Sequence, residues 1–340
     1  MDIARRLAIG IPQVRRLRDG RDALLRERDD LSRRLAESEG RPTSDSPFFH
    51  YNAAFDPQEV IRRHAAPHLQ AVPEYLTNFL GVKIDPKFYP PLLEGRAGQV
   101  EGIPIPANWH ADIAEWGAAL RAVDLARGTF TVIELGCGWG CWMNNTGVAA
   151  RRAGLAVNLI GVEGDQAHLT FAQEACAANA FGPDQVTLRR GIVAPTSGIA
   201  LFPREETGGI HYGLLPVFGA TEEQRRSAVQ SGRYDELPMI ALDELTAPHV
   251  RIDLLHIDIQ GGEADFIAGC LPTLSAKVAY LLVGTHSRQI EGRIMDTLFD
   301  AGWTLEIERP AIFSLHTEGP QLILRVDGVQ GWRNPGFSVG

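Results

Sequence analysis

A doubly wound α/β sheet is the fold this sequence predicts, and three observations predict it. A short apolar segment, residues 131–135, runs into the glycine-rich turn Gly136-Cys137-Gly138-Trp139-Gly140. A second apolar segment, 157–163, ends in the carboxylate of Glu163. From residue 128 onward strand-like and helix-like stretches alternate regularly, as in a parallel sheet with helices on both faces. Together they describe a Rossmann-like domain over 128–327, followed by a C-terminal tail, 328–340. Seven strands are expected, at 131–135, 157–163, 185–189, 252–258, 278–284, 303–308 and 321–326, the last two as an antiparallel pair at the sheet edge.

The turn indicates the kind of ligand. Glycine tolerates positive φ and lets the backbone approach a ligand closely. The dinucleotide fingerprint is G-x-G-x-x-G, with a pyrophosphate at the helix N-terminus. Here Gly140 comes one residue early, and Glu134 stands two residues before Gly136. A carboxylate is awkward beside a pyrophosphate. It suits a cationic ligand carrying an amino group, such as the methionine end of S-adenosyl-L-methionine. Glu163 falls near the offset, about 20 residues past the glycines, where an acidic residue accepts hydrogen bonds from ribose hydroxyls. Trp139 is a candidate for shaping the methionine pocket and equally for plain packing. The stretch 185–193 is expected to wall the adenine.

Composition sets the outer bounds. Of 340 residues, 44% are hydrophobic and 22% charged, and the net charge is −9. That is globular, with no basic footprint for nucleic acid. Cys137, Cys141, Cys176 and Cys270 form no CxxC pair and no Cys/His cluster, so neither zinc nor a disulfide framework is indicated. No apolar h-region follows Arg5, Arg6, Arg15 and Arg16, and no apolar run reaches bilayer length. A cytoplasmic location is expected.

Residues 1–40 read as a coiled coil or helical segment. Leu17, Leu24 and Leu31 recur every seven residues, with Val14 and Leu35 in the flanking seam, while Arg21 and Arg28 make the repeat imperfect. Homo-oligomerisation through this segment is the expectation, with docking on a glycan-assembly complex as a further role. A linker, Gly40 to Pro47, opens a helical accessory region that extends to residue 127. Its helical patches are Pro57–His64, Pro73–Leu80 and Ala111–Leu125. His64 and His68 have an i,i+4 spacing, but Pro67 lies between them, so no metal site is expected there. The insert 194–240 is a candidate substrate loop or lid.

One block is more specific. Ile240-Ala241-Leu242-Asp243-Glu244-Leu245, followed by Ile252-Asp253-Leu254-Leu255-His256-Ile257-Asp258-Ile259-Gln260-Gly261-Gly262-Glu263, resembles the hallmark of FkbM-type S-adenosylmethionine-dependent methyltransferases. The usual pattern is L-D-x-L, then I-D-x-(L/I)-K-(I/L)-D-V-E-G-x-E. His256 stands where the family has Lys, and Gln260 where it has Glu. The resemblance covers about 128–310. It implies a class I methyltransferase fold, S-adenosyl-L-methionine as cofactor, and O-methylation of hydroxyls on sugars or natural products.

Methyl transfer needs alignment, exclusion of water and removal of a proton. In open α/β sheets the ligand lies beyond the carboxyl ends of the strands. Those ends nominate Asp258 and Gln260, and Thr285-His286-Ser287. His286 is the first choice of general base, since its ordinary pKa lies near neutrality. Asp258 could orient it, act as base itself, hold a metal, or touch the cofactor. Glu134, Gly136, Gly138, Trp139, Gly140 and Glu163 complete the expected cofactor site. Glu263 is expected to cap the next helix or hold the loop before it. A second carboxylate directly after the fifth strand is missing, so no obligatory metal is expected. The competing readings are an N-methyltransferase, a methyltransferase-like scaffold acting through its coiled coil, and an NAD-dependent oxidoreductase.

Overall fold

The computed structural model describes residues 46–205, 209, 211–315 and 322–337. The chain divides into two compact units, Met1–Phe49 and His50–Gly340. The expected coiled coil lies outside the described residues.

Within the second unit the elements run β1 (Asn52–Ala53), α1 (Pro57–His64), β2 (Leu76–Thr77), β3 (Lys83–Ile84), α2 (Pro90–Leu93) and α3 (Ile113–Leu125). Then come β4 (Thr129–Leu135), α4 (Cys141–Arg152), β5 (Ala156–Glu163), α5 (Gln166–Ala178) and β6 (Val186–Arg190). An inserted unit follows, of β7 (Ile192–Ala194), β8 (Gly198–Pro203), α6 (Glu222–Gln230), β9 (Tyr234–Ala241) and α7 (Leu242–Thr246). The remainder is β10 (Leu254–Ile257), α8 (Glu263–Lys277), β11 (Tyr280–Thr285), α9 (Arg288–Asp300), β12 (Thr304–Arg309), β13 (Ile312–Leu315), β14 (Leu322–Val326) and β15 (Gly328–Arg333).

The main sheet has the order β1-β12-β15-β11-β10-β4-β5-β6. From β11 to β6 the pairings are parallel. Strands buried on both faces read as continuous apolar runs, and Phe130, Val132, Ile133 and Leu135 of β4 are all buried. After β4 the chain builds outward through β5 and β6, then returns to lay β10 on the other side of β4. That reversal makes a switch point at the carboxyl ends of β4 and β10, where such sheets bind ligands.

The sheet departs from expectation at its antiparallel end. Among the described residues it holds eight strands, because the two-residue β1 pairs with β12. Residues 322–326 are not in it; β14 pairs with β13 in a separate ribbon. The segment expected as a tail instead supplies β15, wedged antiparallel between β11 and β12. Its Val329, Gln330 and Trp332 are buried. Two glycines in Gly328-Val329-Gln330-Gly331-Trp332-Arg333 hide this strand from any reading by alternation. In the accessory region α1 and α3 form as expected. Residues 73–80 do not make a helix but turns around β2, the buried Asn78 side chain accepting from the Leu80 and Val82 amides in place of a helical ladder.

The accessory region is part of the fold rather than an appendage. Helix α3 starts with a full capping box: Asp112 accepts from the Ala114 and Glu115 amides, and Glu115 reaches back to the Asp112 amide. Asp112 also pairs with the buried guanidinium of Arg309 at the end of β12. Inside the insert, β7, β9 and β8 form a small sheet of their own.

Candidate active site

The glycine turn joins β4 to α4 with positive φ at Gly136, Gly138 and Gly140. Gly136 is required by a close approach. A Cβ there would lie 2.4 Å from the Asp258 carbonyl oxygen, so the ends of β4 and β10 meet only through a glycine. Gly138 is covered in the same way by the ring of Tyr212, 2.9 Å from where its Cβ would stand.

Glu134, expected beside the cofactor, is turned toward α4 and is not among the residues that line the cleft. It is buried, and its two oxygens accept from the Trp142 and Met143 amides, at 3.1 and 2.9 Å. It therefore caps the first turn of α4 from the preceding strand, where the helix dipole favours a negative group. Burial pushes its pKa up to about 8, while the two amides pull it down. His256, its register neighbour on β10, sits with Nδ1 4.0 Å from Glu134 and is held neutral by burial, its pKa lowered to about 3. Trp139 is likewise turned into the protein. It stacks on Phe88 and Trp109 of the accessory region, with centroids 5.7 and 6.3 Å apart.

Glu163 does face the cleft. One oxygen accepts from the Gly138 amide at 2.8 Å and the other from the Asp165 amide at 2.9 Å. Beyond it lies a cavity of about 560 Å³, bordered by Gly138, Glu163, Phe202, Tyr212, Asp258 and Phe266. A volume of that size suits a nucleotide-like ligand. Gly191, Ile192 and Val193 also line it, in the stretch expected to wall an adenine, and Phe202 and Phe266 add aromatic surface.

Asp258 and His286 come together where expected, from the ends of β10 and β11. The Asp258 side chain is 38% exposed, and His286 Nε2 lies 3.5 Å from its Oδ1. Gln260, at the left-handed φ of 58°, donates to the same oxygen at 3.1 Å. The surroundings of Asp258 push its pKa up to about 6, chiefly by desolvation. His286 Nδ1 meets Oε1 of the fully buried Glu263 at 3.1 Å. Burial disfavours the imidazolium, but the Glu263 hydrogen bond and the Asp258 field outweigh it and lift the pKa to about 9. His286 is therefore cationic at neutral pH and lacks there the free lone pair expected of a general base. Glu263 begins α8 and does hold the preceding loop, accepting from the Ile259 and Gly261 amides.

Sequence reasoning singled out none of Tyr212, His168, Phe202 and Phe88, though Phe202 and Tyr212 lie in the insert 194–240 expected as a substrate loop or lid. Tyr212 stacks on His168 at 4.1 Å and donates to the Phe88 carbonyl at 2.6 Å. No local pattern marks these residues, because tertiary packing alone assembles them.

With this geometry in view, residues 132–302 match the methyltransferase FkbM domain. A provisionally named methyltransferase of Jannaschia sp. (strain CCS1) is 44% identical over 276 residues, covering 81% of this chain and 98% of that one. The chain belongs to the FkbM methyltransferase family. Among solved structures, precorrin 8W decarboxylase of Methanobacterium thermoautotrophicum aligns at 15% identity and TM-score 0.33, over 63% of this FkbM methyltransferase and 88% of that chain. Precorrin-6y C5,15-methyltransferase of Geobacter metallireducens aligns at 9% and 0.36, over 63% and 86%. Likenesses that slight carry no argument about activity. No helix among the described residues is long and apolar enough to cross a membrane.

Proposed function

We propose that this FkbM methyltransferase transfers a methyl group from S-adenosyl-L-methionine to a hydroxyl of a sugar, glycan or natural-product acceptor. The observation that carries this reading is the Asp258 carboxylate, which reaches the cleft from the end of β10 with His286 beside it. The cofactor, when bound, supplies a methyl group on an electrophilic sulfonium. The residues of the cleft fit it: Glu163 borders the cavity with lone pairs free for ribose hydroxyls, and Phe202 and Phe266 offer apolar surface to a base.

The chain's own task is to align the acceptor, exclude water and take one proton. With its pKa near 6, Asp258 is ionised at neutral pH and positioned to accept the proton that a hydroxyl loses as its oxygen bonds to carbon. The cationic His286 balances the carboxylate charge until that transfer occurs. Tyr212, donating to the accessory region and packed over Gly138, narrows access to the turn.

Calorimetry with S-adenosylhomocysteine and with NAD tests the site. Only S-adenosylhomocysteine should bind, and Glu163→Ala should weaken it roughly tenfold or more, the loss of hydrogen bonds to a charged group. A screen of nucleotide sugars, oligosaccharides and lipid-linked glycans then tests the acceptor. Methylation of amines alone would replace this reading with N-methylation, and absence of any cofactor binding would leave a scaffold.

A further inference from the structure

We propose that Asp258, Glu263 and His286 form a site for a divalent cation. One donor atom from each lies within 4.8 Å of the others. His286 Nε2 and Asp258 Oδ1 are 3.5 Å apart. Adjacent ligands of an octahedral ion, each roughly 2.1 Å from it, stand about 3 Å apart. Hydrogen bonds alone leave the cluster incomplete. Glu263 Oε2 and His286 Nε2 are both buried without a hydrogen-bond partner. Glu263 is itself fully buried, and buried polar atoms are rarely left so. Two carboxylates and one imidazole, the ion displacing the Nε2 proton that His286 carries in its absence, suit an ion of intermediate hardness such as Mn²⁺. The sequence concealed this set, because the second carboxylate comes from the start of α8 and not from the end of β11.

The binding stands on these residues alone; its use in catalysis rests on the O-methylation reading. A hydroxyl taking an open position on the ion has its pKa lowered. Its O–H bond breaks as the proton passes to the uncoordinated oxygen of Asp258, the new C–O bond forms, and the C–S electron pair leaves with sulfur.

The test is a titration of the full, EDTA-treated chain with Mn²⁺, following the signal of the free ion by electron paramagnetic resonance, with no cofactor or acceptor present. One Mn²⁺ per chain should bind, and Asp258→Asn should weaken it by more than about tenfold. Glu263→Gln disturbs the loop at 259–261 as well, so Asp258→Asn, whose side chain faces the open cleft, is the deciding variant, with circular dichroism to show it folded. Absence of stoichiometric binding, or equal binding by wild type and Asp258→Asn, overturns the proposal. Methyl transfer is scored separately. Mn²⁺ binding without methylation of any hydroxyl leaves the cation site standing and removes O-methylation. Undiminished hydroxyl methylation in EDTA, with no Mn²⁺ bound, does the reverse.

Discussion

Asp258 and His286 illustrate how neighbours reassign chemistry between two residues. Taken singly, the imidazole is the natural base near neutrality. In the folded chain the Glu263 carboxylate holds it protonated, and crowding raises Asp258 into the useful range. Asp258→Asn should therefore lower kcat by roughly 10²–10⁴-fold, the usual contribution of a positioned base. An unchanged kcat in a methyl-transfer assay would remove Asp258 from the chemistry. His286 also leaves a mark on stability. Its folded pKa of about 9 exceeds its ordinary 6.5, so its contribution is full below pH 6.5 and is lost as the pH rises through 9. Asp258 titrates lower, its contribution being lost as pH rises from 3.8 through about 6, so the two windows separate. In EDTA the melting temperature of the wild type should fall between pH 6.5 and 9, and His286→Gln should flatten that fall. An identical slope in the variant would show that the imidazolium is not held as described.

At the level of elements, the β4–turn–α4 unit is the most heavily constrained part of the site. Glu134 satisfies two amides of α4 that would otherwise be buried unpaired. Glu134→Ala should cost about 1–3 kcal/mol in urea unfolding, the penalty for orphaned buried donors. A loss within a few tenths would mean that water replaces the carboxylate. Gly136→Ala should be worse, since the added Cβ meets backbone at 2.4 Å and φ is 72°; it should abolish S-adenosylhomocysteine binding in calorimetry. This unit was legible in the sequence because its signals are contiguous: apolar strand, carboxylate, three glycines. The ends of β5 and β10 were legible for the same reason, and the match to residues 132–302 lies over them. The role of Glu134 was not, since a carboxylate before the turn can face either the ligand or the helix, and only the fold decides. β15 was hidden by its glycines, and Tyr212 reaches the cleft through packing against Phe88 and His168 that no local pattern encodes.

On the scale of the whole molecule, the unit His50–Gly340 encloses its own core. Large side chains such as Trp116, Phe130, Tyr280 and Trp332 are fully buried within it, and the accessory helix α3 is tied to β12 by Asp112 and Arg309. A unit with a complete core folds alone. A chain beginning at Ser46 should therefore melt cooperatively near the temperature of the full chain and keep its affinity for S-adenosylhomocysteine. The leucine repeat at Leu17, Leu24 and Leu31 is the ground on which we propose a separate task, self-association, for residues 1–40. If that task is self-association, light scattering should give a multiple of the chain mass for the full protein and a single chain mass for the shortened one. Equal association states would end the coiled-coil reading without touching the site. A large drop in melting temperature on shortening would instead show that the N-terminal segment completes the core of the catalytic unit.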